Sequence, residues 1–187
     1  AIHHGERKMV TSLNGFEYIN IGGREFEAFT TSGGLGTMCE TYEGKVDTLN
    51  YKSIRYPGHG KLMKFLISEL IMKDDKENLT RILENAKPPV KEDVVYIYAV
   101  VEGWKNDKLF RNEYYKAFYP LEIEGQEWRA ISWTTAASIA AVIEMVEQGD
   151  LPAQGFIKQE EISFEKLIET SSGQYYVTAD LEGSSKE

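Results

Sequence analysis

The stretch from residue 93 to residue 121, DVVYIYAVVEGWKNDKLFRNEYYKAFYPL, restricts the possible folds of this chain more than any other. It predicts a long β-hairpin that turns at Lys105-Asn106-Asp107. The first arm is almost continuously apolar, which is typical of a strand covered on both faces. We therefore expect a central strand in a sheet with helices packed on it.

Turn signals and apolar periodicity predict further elements around this hairpin. Residues 9–31 divide into three strand-like pieces at Asn14-Gly15 and Gly22-Gly23, both hairpin turn signals. Helices are predicted at 35–42, 62–70, 75–86 and 131–148, with the last the most buried, and near Ser163. Further strands are predicted at 45–56, before Ser163 and at 174–179. The sum is an α+β fold with a mixed, largely antiparallel sheet and helices packed on it.

Composition excludes several kinds of protein and site. A net charge of −9 disfavours nucleic acid and anionic membranes as partners, because both favour basic surfaces. Cys39 is the only cysteine, and the three histidines occupy two distant places, so no metal site is expected. The 187 residues are expected to form a single domain over 1–180 and a disordered tail over 181–187.

The protein is expected to be cytoplasmic. No signal peptide is visible at the start of the sequence. The most apolar long stretch, residues 131–146, is shorter than a membrane-spanning helix and contains Glu144.

The glycine-rich stretch FTTSGGLGTM, residues 29–38, poses the question of whether the chain binds a nucleotide. Gly34 and Gly36 have the first spacing of the dinucleotide fingerprint, but Cys39 stands at the third glycine position. The acidic ribose ligand about 20 residues further on is missing, and no Gly-Lys-Ser/Thr follows. The residues therefore favour a turn with bare backbone over a phosphate loop.

The cluster YKSIRYPGHG, residues 51–60, contains the best candidates for chemistry. Arg55, Tyr56 and His59 follow a predicted strand and precede a helix, where a guanidinium and helix amides can hold a carboxylate. The alternative from the pattern alone is structural: an ion pair for Arg55, a helix cap for His59 and packing for Tyr56. Thr134 and Thr135 in SWTT have the same two interpretations, since Ser and Thr are ordinary helix caps.

Two long segments of the chain carry a resemblance to a known family. The first contains EAFTTSGGLGTMCETYEGKV and, further along, LNYKSIRYPGHGKLMKFL. The second is ISWTTAASIAAVIEMVEQGDLPAQGFIKQEEI. They resemble the C-terminal catalytic region of the saccharopine dehydrogenase-like oxidoreductases, closest to lysine 6-dehydrogenase, with carboxynorspermidine dehydrogenase as a relative. The resemblance covers residues 9–170 in order, and Arg-Tyr-Pro-Gly-His is its most specific element. Ser53 stands where the family has Thr.

The resemblance implies that a Rossmann domain with its own glycine fingerprint precedes this region in the full-length enzyme and binds NAD or NADP there. The present chain would then hold an amino-acid-like substrate and form a homodimer. It would bind no cofactor and be inactive alone. The implied substrate-binding residues are Arg55, Tyr56, His59, Thr31, Ser32, Gly33, Thr134 and Thr135.

Two functions remain open from the sequence. In the first, the chain is the substrate-binding half of an NAD(P)-dependent oxidoreductase that acts on a C–N bond of an amino acid or amino-acid adduct. The general base is then unassigned, since His59, Tyr56 or a group in the Rossmann domain could serve. In the second, the chain is a non-enzymatic α+β module that binds a small carboxylate or only pairs with itself.

Overall fold

A computed structural model of the chain describes residues 1–183, with side chains described up to residue 179. The chain divides into two compact units, Ala1–Pro89 and Val90–Glu187. The single domain expected over residues 1–180 stays a prediction. Within the described residues, helices and antiparallel strands form an α+β fold, which confirms the predicted class.

The first unit contains two three-stranded antiparallel sheets and three helices. Its strands are β1 (Ile2–His3), β2 (Glu6–Arg7), β3 (Glu17–Ile21), β4 (Arg24–Phe29), β5 (Thr48–Leu49) and β6 (Ser53–Arg55). Its helices are α1 (Met38–Tyr42), α2 (His59–Lys64) and α3 (Lys76–Ala86). A π-helical turn, Phe65–Glu69, continues α2, and a 3-10 turn, Met72–Asp74, precedes α3.

Strand β4 is the centre of the sheet that positions the candidate site. It pairs with β3 through a turn at Gly22 and Gly23, whose φ angles of 58° and 78° suit the predicted hairpin turn. On its other edge it pairs with β6, with Glu27 opposite Arg55. Four consecutive residues from Phe26 to Phe29 are buried, so β4 is covered on both faces.

Two strand predictions in the first unit are wrong. The segment before Asn14 forms no strand, although Asn14 and Leu13 still exchange backbone hydrogen bonds with Thr30. The predicted strand at 45–56 is two short strands, β5 and β6, which belong to different sheets. A short helix after the glycines, as α1, and an exposed helix at 75–86, as α3, are both confirmed.

Up to residue 183, the second unit contains two hairpins and three helices. Its strands are β7 (Val95–Lys105), β8 (Lys108–Phe118), β9 (Leu121–Ile123) and β10 (Gln126–Trp128). Its helices are α4 (Ala130–Glu147), α5 (Phe164–Glu169) and α6 (Gln174–Gly183), with a 3-10 turn at Gln159–Glu161. Phe118 and Trp133 meet edge to face at 5.4 Å in its core, and Tyr176 packs on both.

The long hairpin is confirmed, but its predicted central position is wrong within the described residues. Asn106 and Asp107 form the turn with φ angles of 52° and 58°. Strand β7 pairs with β8 and with no other described strand, and Val101 and Trp104 are 66% and 77% exposed. The described strands form four small antiparallel sheets instead of one mixed sheet.

The C-terminal predictions also need correction. Residues 174–179 belong to helix α6 and not to a strand, because Tyr176 faces the core of Phe118 and Trp133. The segment before Ser163 contains a 3-10 turn and no strand. Helix α6 includes residues 181–183 of the predicted disordered tail, and the rest of that tail lies outside the described residues.

Helix α4 is, among the described residues, the one helix long and apolar enough to cross a membrane by length and composition. A core helix of a soluble protein meets the same description. Six residues of α4 are buried, among them Trp133, Ala141 and Met145, whereas Ile139 and Ile143 are exposed. Cytoplasmic location stays a prediction.

Candidate functional site

The turn from Arg55 to Gly60 is held by a carboxylate from a neighbouring strand. Glu27 of β4 is 1% exposed. Its Oε2 accepts a hydrogen bond from the backbone N–H of Gly58 at 2.8 Å, and its Oε1 accepts one from the N–H of Gly60. These two amides belong to the first turn of α2, where helix N–H groups lack partners within the helix. Glu27 therefore caps this end of α2 from outside.

Two glycines allow the turn to take this path. Gly58 has a φ of 95°, a conformation that side chains with a Cβ rarely adopt. Gly60 is buried, and a Cβ there would lie 2.6 Å from ring carbons of Phe16 and Phe29. The backbone of Pro-Gly-His-Gly thus lies against the Glu27 carboxylate and against the rings of Phe16 and Phe29.

Arg55 lies at the end of β6 and is exposed. Its Nη1 donates to the carbonyl oxygen of Ile54 at 2.8 Å. Within residues 1–179, whose side chains the structure describes, no carboxylate forms an ion pair with Arg55. The structural ion pair that the sequence left open is therefore not formed within these residues.

Tyr56 is half exposed and is fixed by two neighbours. Its ring stacks on Phe26 at 5.7 Å between centroids, and the Arg24 guanidinium carbon lies 4.7 Å from the Tyr56 ring centroid. A cation over an aromatic face is favourable. The packing role that the sequence offered for Tyr56 is thus observed.

His59 opens α2 and stacks on Phe29 at 6.4 Å with an interplanar angle of 12°. Part of the ring is in solvent, but burial of the remainder lowers the pKa of His59 below its usual value. The positive charge of Arg55 lowers this pKa further, whereas Glu27 raises it. The imidazole is therefore mainly neutral at pH 7 and can accept a proton.

Residues of the glycine-rich loop line a separate cavity of about 460 Å³ in the first unit. Among its lining residues are Thr31, Gly33, Gly36, Cys39, Tyr51 and Lys52. The Thr31 hydroxyl is 2.8 Å from that of Ser53, and Lys52 Nζ pairs with Glu17 at 2.9 Å. Ser32 is exposed and is not among the cavity-lining residues. Arg55, Tyr56 and His59 do not line this cavity, so the predicted residues of the first unit fall into two groups.

Thr134 and Thr135 belong to the second unit, in the first turns of α4. Each hydroxyl donates to the carbonyl four residues earlier, at 2.7 Å, and Thr134 is buried. The helix is capped by Asp93, whose carboxylate accepts from the N–H groups of Ala130 and Ile131 at 2.6 and 3.0 Å. The cap that the sequence suggested for SWTT thus comes from a different residue.

Sequence reasoning missed Glu27 and Asp93. The signal for Glu27 was present, because it interrupts an apolar run from Phe26 to Phe29. A carboxylate inside such a run must find hydrogen-bond donors when the strand is buried. Those donors are 31 and 33 residues away in the chain, and no local pattern identifies them.

Neither a metal centre nor a known family emerges from the described residues and the comparison. Among the described residues, no group of three or more His, Cys, Asp or Glu side chains could hold a metal ion. A comparison of the sequence with models of known protein families finds no match. The resemblance to the saccharopine dehydrogenase-like oxidoreductases therefore rests on the motifs alone.

Proposed function

We propose that this chain is the substrate-binding half of an NAD(P)-dependent oxidoreductase that acts on a C–N bond of an amino acid or amino-acid adduct. The observation that carries the proposal is the Arg55 guanidinium, which is exposed, well anchored in the chain and free of a carboxylate partner within residues 1–179. A guanidinium binds a carboxylate through two parallel hydrogen bonds, and every amino-acid substrate carries that group.

The neighbours of Arg55 fit the chemistry of such a substrate. Oxidation at a carbon that bears nitrogen removes a hydride and a proton and leaves an imine. The hydride would go to the nicotinamide of NAD or NADP, which the resemblance assigns to a preceding Rossmann domain. The mainly neutral imidazole of His59 is a candidate acceptor for the proton, and Tyr56, the residue after Arg55, is the alternative.

The proposal extends to location, cofactor and partner. We place the enzyme in the cytoplasm, with NAD or NADP bound by the full-length protein and not by this chain alone. The polypeptide would act as a homodimer. Neither nucleic acid nor membrane is a partner in this proposal, in keeping with the net charge of −9.

The experiment is a titration of the 187-residue chain with L-lysine, compared with cadaverine, which lacks the carboxylate. Arg55→Lys keeps the charge but loses the two-pronged geometry. Because a charge-assisted hydrogen bond contributes about 1.5–3 kcal/mol, we expect the variant to bind L-lysine about tenfold or more weakly. Cadaverine affinity and melting temperature should stay near wild type.

Arg81→Lys is the matched control, because Arg81 is exposed on α3 and its hydrogen bond is to Asn78. In the full-length dehydrogenase, Arg55→Lys should raise the KM for the amino acid and leave cofactor affinity unchanged. A sharp loss of melting temperature with unchanged L-lysine affinity would make Arg55 structural. Tight, saturable binding of NAD or NADP to the chain alone would contradict the assignment of the cofactor to another domain.

A further inference from the structure

Glu27 is the one ionisable side chain among the buried residues that the structure describes. A carboxylate taken out of water loses several kcal/mol of hydration unless hydrogen bonds replace the lost water. Here both replacements come from the same turn, from the amides of Gly58 and Gly60. No lysine or arginine forms an ion pair with Glu27 in the described chain. The buried Glu27 carboxylate therefore keeps its hydrogen bonds only while the turn at Gly58 and Gly60 holds its present conformation.

That segment connects the three candidate substrate-binding side chains. Arg55 is opposite Glu27 in the register of β6 on β4, and the chain then passes through Tyr56 and Pro57 to the two amides. His59 lies between the two amides that Glu27 accepts from. Fixing the backbone at residues 58 and 60 therefore fixes the backbone of His59 between them and the exit of the chain after Arg55.

The aromatic neighbours allow little other freedom. The face of the turn at Gly60 is closed by Phe16 and Phe29, so the amide cannot swing away from Glu27 on that side. On the opposite flank of the segment, Tyr56 is held by Phe26 and Arg24. The aromatic rings offer no hydrogen-bond acceptor to the N–H groups of Gly58 and Gly60, and the Glu27 carboxylate supplies one to each.

We propose that Glu27 is the positioning residue of the candidate site: its carboxylate holds the turn at Gly58 and Gly60 and so sets the backbone positions of Arg55 and His59 for binding a substrate carboxylate. The part that concerns substrate rests on the proposed function. The part that concerns the turn does not.

The charge of Glu27 also reaches His59. The charged groups that act on the pKa of that imidazole are Arg55 from β6 and Glu27 from β4. Arg55 lowers the pKa of His59 and Glu27 raises it. Removal of the Glu27 charge should therefore lower this pKa further, which a side chain with only a packing role would not do.

The test uses Glu27→Gln in the 187-residue chain, with Glu25→Gln as the matched control. Gln keeps the shape, but its amide nitrogen is a donor and cannot accept from the second backbone N–H. Glu25 lies two residues earlier in the same strand, so it carries the same charge on the same face, but it is exposed. We measure the His59 titration by NMR, the amide hydrogen exchange of Gly58 and Gly60, and the affinity for L-lysine.

For Glu27→Gln we expect a lower pKa of His59, at least tenfold faster exchange of both glycine amides and at least tenfold weaker binding of L-lysine. Glu25→Gln should match wild type in all three measurements. A core variant away from the turn, Ile21→Val in β3, should lower the melting temperature without moving the His59 titration. An unchanged His59 titration with unchanged glycine exchange in Glu27→Gln would overturn the proposal.

If Glu27→Gln does not fold, the wild-type chain decides the question. Both glycine amides should then be protected from hydrogen exchange in the wild-type chain, and rapid exchange of either amide would overturn the proposal. Failure of the proposed function looks different. In that case Arg55→Lys leaves L-lysine affinity unchanged, while Glu27→Gln still alters the His59 titration and the glycine exchange.

Discussion

At the residue scale, the candidate site requires a residue without a Cβ at position 60. Its amide donates to Glu27, and its Cα faces the rings of Phe16 and Phe29. The φ angle of Gly60 is not positive, so the backbone conformation alone would accept alanine. The requirement for glycine is steric, and it arises from tertiary contacts with two residues distant in sequence.

We expect Gly60→Ala to destabilise the chain by about 1–3 kcal/mol, because a Cβ 2.6 Å from two ring carbons forces the rings or the turn to move. Thermal unfolding measures this effect. Gly103→Ala is the control, since a Cβ added to Gly103 in β7 would meet no atom within 4 Å, and it should change stability by less than about 0.5 kcal/mol. Equal melting temperatures for the two variants would show that the rings give way without cost.

Helix α4 shows at the element scale how one side chain joins two segments of the second unit. Glu144 accepts hydrogen bonds from the N–H groups of Ser171 and Ser172, at 2.8 and 3.0 Å, and from the Ser172 hydroxyl. The Ser172 hydroxyl is the largest of the causes that lower the pKa of Glu144 below its usual value. The turn that leads into α6 is therefore attached to α4 through a charged carboxylate.

This attachment predicts a dependence of stability on pH. A carboxyl whose pKa is lowered in the folded state adds stability above its unfolded pKa of about 4.3, and loses that contribution as the pH falls through the lower, folded value. Glu144→Gln should thus melt below wild type at pH 7, and the difference should shrink as the pH falls below about 4. Glu147→Gln, an exposed position on the same helix, should follow wild type throughout. A difference in melting temperature that stays constant from about pH 7 to about pH 3 would exclude the charge as its cause.

At the scale of the whole molecule, the feature that bears on association with another chain is the β7–β8 hairpin of the second unit. Each strand has 11 residues, and within the described residues neither outer edge pairs with another strand. Large apolar side chains such as Val101, Trp104 and Leu109 are exposed along it. Long, apolar, unpaired edges favour pairing with another chain, and symmetric dimers are the commonest result.

We therefore expect the chain to self-associate at micromolar concentration, as sedimentation velocity would detect. Val101→Lys, in the middle of the exposed arm, should shift the equilibrium towards monomer, because a lysine there places a charge on the apolar surface. Val90→Lys, at an exposed position outside the hairpin, should leave the equilibrium unchanged. A strict monomer at high micromolar concentration would contradict the predicted homodimer.

The sequence by itself determined the features that depend on neighbouring residues. Gly22-Gly23 and Asn106-Asp107 set two hairpin turns through positive φ angles, and the apolar pattern predicted α4 as a helix. The nearby residues Arg55, Tyr56 and His59 were predicted as one cluster because the chain itself keeps them together. The α+β class follows from these local signals.

Only the tertiary structure decided the features that depend on distant contacts. Residues 174–179 have the composition of a strand, yet they are helical because Tyr176 packs on Phe118 and Trp133. Glu27 became part of the candidate site because its hydrogen-bond donors lie 31 and 33 residues further on. Local propensity differs by about 1 kcal/mol between alternatives, whereas burial of an aromatic ring or a carboxylate involves several, so the distant contacts prevail.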